Sequence, residues 1–223
     1  MSKLIVIEGV DSSGKATQTE MLYNRLSAEN PNVNKVSFPN YNSPSSSIVK
    51  MYLNGDFGTD ANSVNAYTAS SFFAIDRYAS VNGEWKDIFC GDGIVIADRY
   101  VTSNMVHQAS KIEDFNEKDV FLDWLYDFEY NKLSLPKPYL IIFIDMPVKY
   151  AQELMRNIKN KINDSDVKDI HESDISYLEK SYNNAVGIAE KYDWHRISCV
   201  SDGKVRSIED ISMEIYDVVK KVI

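Results

Sequence analysis

The stretch Gly9-Val10-Asp11-Ser12-Ser13-Gly14-Lys15 limits what this chain can fold into more than any other. It follows the apolar run Leu4-Ile5-Val6-Ile7, which reads as a buried strand. It precedes Thr17 to Leu26, where Met21, Leu22 and Leu26 recur at helical spacing. Strand, glycine-bounded loop and helix is the context that a phosphate-binding loop requires. Gly9 and Gly14 permit backbone angles that a Cβ would forbid. The loop amides then form a concave cradle for anionic oxygens, with the positive end of the helix dipole beneath it. Lys15 sets an ammonium on the outer phosphates. A plain glycine turn accounts for the glycines but not for the lysine and both flanking elements together. One letter departs from the usual pattern. Ala16 stands where a Ser or Thr normally touches Mg2+, and Thr17 lies about 100° further round the helix.

The 223 residues, 44% of them apolar, suffice for a full core and fit one domain spanning 1–223. A net charge of −9 argues against a nucleic-acid polymer as partner, because such partners need an extended basic face. A single nucleotide in a locally basic pocket is compatible with it. Cys90 and Cys199 form no metal or redox motif and read as reduced core thiols of a cytosolic, cytoplasmic protein. No apolar run is long enough to leave a secretory or membrane-spanning signature.

Along the chain, Asn34 to Phe38 reads as a second strand stopped by Pro39. Residues 40–47 read as a serine-rich loop, either simply solvated or lying near a substrate phosphate. A short helix over Ile48 to Leu53 follows. A long helix is expected over 62–82, capped by Asn62 or Ser63 and ending before Gly83. It sets Phe73 and Arg77 on one face, which suits either a nucleobase or a core phenylalanine with a snorkelling arginine. Ile94 to Tyr100 reads as a strand carrying Asp98 and Arg99 at its C-terminal end, where parallel sheets meet ligands. Asp98 fits a metal-organising carboxylate and Arg99 a phosphate clamp.

Thr102 to Ser110 reads as a helix with Asn104 and Gln108 on one face, and Ser103 and His107 likewise paired. Two amides so placed satisfy the donors and acceptors of a pyrimidine edge. An aromatic helix is expected over Asp119 to Leu133, strands over Leu140 to Ile144 and Trp194 to Val200, and helices over Val148 to Asn160 and Ser173 to Tyr192. The polar break between those two helices, roughly 156–172, reads as a mobile lid with Arg156, Lys159 and Lys161, or as a solvated loop. A last helix capped by Ser207 lines up Ile208, Ile211, Ile215, Val218 and Val222. Strands alternating with helices predict a five-stranded parallel sheet flanked by helices on both faces, a three-layer α/β P-loop fold.

Together these stretches resemble bacterial thymidylate kinase, of the P-loop nucleoside monophosphate kinases. The resemblance is carried by Ile7 to Lys15, Phe38-Pro39, Phe73 to Arg77, Asp98-Arg99-Tyr100 with Ser103, and Asp169 to Glu172. It implies ATP-dependent phosphorylation of dTMP to dTDP with Mg2+, in a homodimer whose contacts lie near residues 62–82 and 100–110. It implies that the loop from Gly9 through Val10, Ser12, Ser13, Gly14, Lys15, Ala16 and Thr17 holds ATP. It implies that Asp11 contacts the sugar 3′-hydroxyl, Phe73 stacks on thymine and Arg77 reads the base edge. Phe38, Pro39, Ser103, Asn104 and Gln108 would line the dTMP site, with His107 where some members carry a tyrosine. Arg99 matches a catalytic phosphate contact and Asp98 a metal-organising one. The arginine that many members carry after Phe-Pro is replaced by Asn40 and Tyr41. A deoxynucleoside kinase using Glu8 as base, and an impaired nucleotide binder, are the alternatives.

Overall fold

The computed structural model describes residues 2–60, 62–159 and 175–223. In chain order the main elements are β1 (Lys3–Glu8), α1 (Lys15–Glu29), β2 (Val33–Ser37), α2 (Ser47–Leu53), α3 (Ala66–Ser80), α4 (Lys86–Cys90) and β3 (Ile94–Asp98). Then follow α5 (Val101–Ser103), α6 (Phe115–Tyr126), β4 (Leu140–Asp145), α7 (Val148–Lys159), α8 (Ile175–Lys191) and β5 (His195–Ser198). A small hairpin of β6 (Val200–Ser201) and β7 (Lys204–Val205) precedes α9 (Ile208–Lys220). The five main strands form one parallel sheet in the order β2-β3-β1-β4-β5.

Side chains alternate across a strand, so each strand feeds two cores. Leu4 and Val6 face a layer with Trp85, Phe121, Leu125 and Ile188. Ile5 and Ile7 face the opposite layer with Leu22, Leu26, Ile211 and Ile215. Leu4, Ile5, Val6 and Ile7 are all fully buried, which contributes about 1.5–3 kcal/mol each. The three-layer architecture expected from the alternating pattern is present. Among the described residues no helix is long and apolar enough to cross a membrane.

Several boundaries differ from the sequence-based expectation. The N-cap of α3 is Asn65, whose Oδ1 accepts from the Thr68 amide at 2.9 Å. Helical structure does not stop before Gly83. It continues through a π turn over Val81–Trp85 into α4, because Trp85 is fully buried and its Nε1 donates to Ser80 Oγ at 3.3 Å. The gain from burying that ring exceeds the helix cost of one glycine, about 1 kcal/mol. The aromatic helix begins earlier than expected, capped by Asp114, and its last turn widens into a π turn over Asp127–Lys132.

Residues 101–110 are not one regular helix but α5, a π turn over Asn104–Gln108 and a 3₁₀ turn over Ala109–Lys111. They are mostly buried within the chain, so they offer little surface for a dimer contact. The fifth strand is shorter than expected, and Val200 belongs to the hairpin. In α9 the expected cap is present, with Ser207 Oγ accepting from the Asp210 amide, but Val219 rather than Ile208 is buried. Cys199 is a buried thiol, pushed up to about 12 by burial, whereas Cys90 is exposed rather than in the core. The proposed lid at 156–172 lies largely outside the described residues. Lys161 is outside them, and Arg156 and Lys159 belong to α7 by backbone alone.

Candidate active site

The phosphate loop has the geometry that its glycines require. Gly14 has φ 86° and Ser12 φ 62°, both left-handed, and the loop delivers the chain into α1 at Lys15. A Cβ on Gly9 would lie 2.5 Å from Ser13 Oγ and 3.2 Å from the Ile144 carbonyl oxygen, so strand β4 closes against the loop only over a glycine. No side chain caps the first amides of α1, which leaves them for an anion. Lys15 folds back over the loop, Nζ donating to the Val10 carbonyl at 3.3 Å and standing 3.7 Å from Asp11 Oδ1. Burial first, then the Arg99 charge, holds the Lys15 ammonium below the usual lysine value, against Asp11, Asp98 and Glu8.

Arg99 follows β3 with φ 67°, an unusual conformation for a side chain of its size. Its amide donates to the Ile7 carbonyl at 3.1 Å, which ties the turn to β1. The guanidinium then reaches four groups. It pairs with Asp11 Oδ1 through Nη2. Through Nη1 it donates to Ser103 Oγ at 3.1 Å, lies 3.5 Å from Glu8 Oε1 and contacts His107 Nε2 at 3.0 Å. Burial opposes its charge, but Asp11, Glu8 and Asp98 outweigh that and hold it above the usual arginine value. Glu8 is fully buried with both oxygens engaged. Oε1 accepts from the Gly9 amide at 2.9 Å, and Oε2 from Thr102 at 2.6 Å and Ser103 at 2.8 Å.

Two clefts meet at this arginine. One, of about 700 Å³, is lined by Asp11, Ser12, Gly14, Lys15, Ala16 and Asp98, together with Ser37 and others. Of the loop residues expected to hold ATP, Thr17 is not on this cleft; it is exposed on α1. Gly9, Val10 and Ser13, in the loop itself, are buried and do not line the cleft either. The other cleft encloses about 520 Å³ of space between atoms, part of it open to solvent. Its lining includes Phe38, Pro39, Phe73, Arg77, Ser103, Asn104, His107 and Gln108, every residue expected there from the sequence, with Asp11 and Arg99 at its mouth. Asp11, Phe38, Pro39, Tyr41 and Arg99 line both clefts. Phe38-Pro39 is a cis peptide.

Phe73 is half-buried, held edge-on by Tyr52 at 6.1 Å. Arg77 is buried, with Nε and Nη2 donating to Glu129 at 2.7 and 2.6 Å, so it is neither a snorkelling side chain nor free. Tyr41, Leu53 and Tyr100 also line the cleft, and Glu129 supports it; the sequence named Tyr41 and Tyr100 only beside or within motifs, and gave Leu53 and Glu129 no link to the site. The serines of residues 40–47 line neither cleft. Ser45 Oγ donates to Asp76 Oδ1 at 2.6 Å and the Asn40 amide to Oδ2 at 2.8 Å, which docks the loop on α3. For a cation, Asp98 Oδ1 is buried on the Lys15 side with no hydrogen-bond partner. Among the described residues no cluster of three His, Cys, Asp or Glu could hold a metal by itself. One carboxylate fits a divalent ion that arrives with nucleotide phosphates.

The thymidylate kinase family model matches residues 7–210. Thymidylate kinase of Mycobacterium tuberculosis is 34% identical over 154 residues, covering 69% of this chain and 70% of the relative. That of Plasmodium falciparum is 28% identical, covering 99% and 90%. In fold, the chain is similar to thymidylate kinase from Candida albicans, with a TM-score of 0.73 at 19% identity, covering 99% and 92%. It is similar also to that from Ehrlichia chaffeensis, with a TM-score of 0.67 at 21% identity, covering 98% of both chains. With a family model spanning most of its length, this chain belongs to the thymidylate kinase family.

Proposed function

We infer that this enzyme transfers the γ-phosphoryl group of ATP to dTMP, giving ADP and dTDP. The observation that carries this reading is the junction of a phosphate cradle and a base-sized cleft at a single arginine, Arg99. ATP phosphates lie on the loop and Lys15. The dTMP base stacks on Phe73 beside Arg77, Asn104 and Gln108, and its sugar lies towards Asp11 and His107. The phosphates of the two nucleotides then face each other across Arg99. An oxygen of the dTMP phosphate forms the new bond to Pγ while the bond from Pγ to the bridging oxygen breaks and ADP leaves.

The acceptor oxygen is already anionic, so no strong base is required. What the side chains supply is position and charge neutralisation, from Lys15 and Arg99. Asp98 would hold Mg2+, which when bound neutralises charge on the β- and γ-oxygens. Glu8 has no oxygen to spare for deprotonating a 5′-hydroxyl, which speaks against the deoxynucleoside kinase alternative. A homodimer through α3 and α6 is consistent with the exposure of Ile75, Tyr78, Phe115 and Val120.

The test is a coupled ADP-release assay with Mg-ATP against a panel of nucleoside monophosphates and thymidine. Turnover of dTMP with dTDP as product is the expected outcome. Turnover of thymidine but not dTMP, or of neither, would overturn the assignment.

A further inference from the structure

We propose that Glu129 is a positioning residue that sets the hydrogen-bond polarity of the base cleft, favouring a pyrimidine with a C4 carbonyl and an N3–H over one with a C4 amino group. The inference rests on the reading above that this cleft takes a pyrimidine nucleotide. Glu129 sits in the π turn after α6, fully buried, more than fifty residues from the arginine it binds. Its Oε2 accepts from Arg77 Nε at 2.7 Å. Its Oε1 accepts from Arg77 Nη2 at 2.6 Å and from Asn104 Nδ2 at 2.9 Å. The fork is bidentate, so the plane of the guanidinium is fixed.

Asn104 is the more informative partner. Its Nδ2 also donates to the Ser70 carbonyl at 3.2 Å. Both amide hydrogens therefore point at groups that can only accept, a carboxylate and a carbonyl. A flipped amide would set Oδ1 against two acceptors, so the orientation is determined by chemistry. What Asn104 has left for the cleft is its Oδ1, an acceptor. Gln108 Oε1, buried and without a hydrogen-bond partner, adds another. Arg77 has the opposite character. Of its five N–H groups two go to Glu129 and one to the Tyr100 carbonyl at 3.3 Å, leaving one on each terminal nitrogen as donor.

A donor beside an acceptor complements a carbonyl beside an N–H, the edge shared by thymine and uracil. Cytosine presents the reverse order, an amino donor beside an acceptor nitrogen, and leaves buried groups unpaired on both sides. Arginine cannot invert. Asparagine can, by flipping, and Glu129 together with the Ser70 carbonyl prevents it.

The test uses the purified full-length enzyme and the ratio of kcat/KM for dTMP to that for dCMP. Glu129→Gln keeps the shape, but its amide can donate to a flipped Asn104. The expected result is at least a tenfold fall in that ratio, carried mainly by a higher KM for dTMP, with KM for ATP unchanged. Glu129→Asp, which can only accept, should restore part of the ratio. In an Asn104→Ala background the Glu129→Gln change should alter the ratio much less. An unchanged ratio in folded Glu129→Gln, or equal losses for dTMP, dCMP and ATP, would overturn the proposal. A second measurement needs no variant: wild-type enzyme should bind dUMP comparably to dTMP, but dCMP and N3-methyl-dTMP at least tenfold more weakly. Equal binding of all four would also overturn it. Wild-type enzyme inactive on dTMP would instead refute the functional reading.

Discussion

Arg99 is held in a left-handed conformation at φ 67°, and that strain can be separated from its chemistry. For a residue with a Cβ this region costs about 1–2 kcal/mol. Glycine adopts it freely but loses about 0.5–1 kcal/mol more entropy on folding. Arg99→Gly should therefore be more stable than Arg99→Ala by roughly 1 kcal/mol, about 2–4 °C in Tm for a chain of this size. Both variants lose the same guanidinium contacts, so those cancel in the comparison. Neither should unfold, because Glu8 keeps Gly9, Thr102 and Ser103, and Asp11 keeps Lys15. Activity should behave differently. Both should lose about 10²–10³ in kcat, the usual cost of removing a preorganised group that stabilises developing charge. The assays are thermal melts and coupled ADP release at saturating dTMP and ATP. Near wild-type kcat in either variant, or Arg99→Ala melting at or above Arg99→Gly, would refute the reasoning.

Lys15→Met should abolish measurable turnover without lowering Tm, because the ammonium is held at a cost in burial; a large loss of Tm would contradict this. Asp98→Asn should raise the Mg2+ concentration for half-maximal rate by roughly tenfold or more, in a titration at fixed ATP. Lys111 is pushed down to about 8 by burial, where it donates to Tyr52 Oη and the Val64 carbonyl. Between about pH 8 and the ordinary lysine value the unfolded chain binds the extra proton, so this group's contribution to stability rises with pH there and is flat below. Comparing urea midpoints at pH 7.5 and 9.5, wild type should gain on Lys111→Gln by about 2 kcal/mol; no gain would place the pKa elsewhere.

The sheet and the phosphate loop were legible because their signals are local. A buried strand, two glycines and a lysine lie within fifteen residues, and the alternation of short apolar runs with helical spacing did the rest. The cleft was legible through the family resemblance, since the spacing of Phe73 and Arg77, and of Asn104 and Gln108, fits a core or surface pair as well as a base site. What escaped was non-local or contrary to propensity. Glu129 carries no sign of its role until α6 and the π turn bring it beneath Arg77. Gly83 looked like a helix end because nothing in its neighbourhood says that Trp85 will be fully buried. The cap of α6 at Asp114 lies ahead of the aromatic stripe that drew attention to that helix. Serine-rich composition at residues 40–47 suggested solvent or phosphate, whereas Asp76 organises the loop from a distant helix.

The central claim is that dTMP lies with its base against Phe73 and its phosphate towards Arg99 and Lys15. A crystal structure with dTMP and a non-hydrolysable ATP analogue tests it most directly. The account predicts the thymine ring stacked on Phe73, its C4 oxygen about 3 Å from an Arg77 terminal nitrogen, and the two phosphate chains meeting at Arg99. A thymine ring bound away from Phe73, or with its phosphate turned from Arg99, would contradict it.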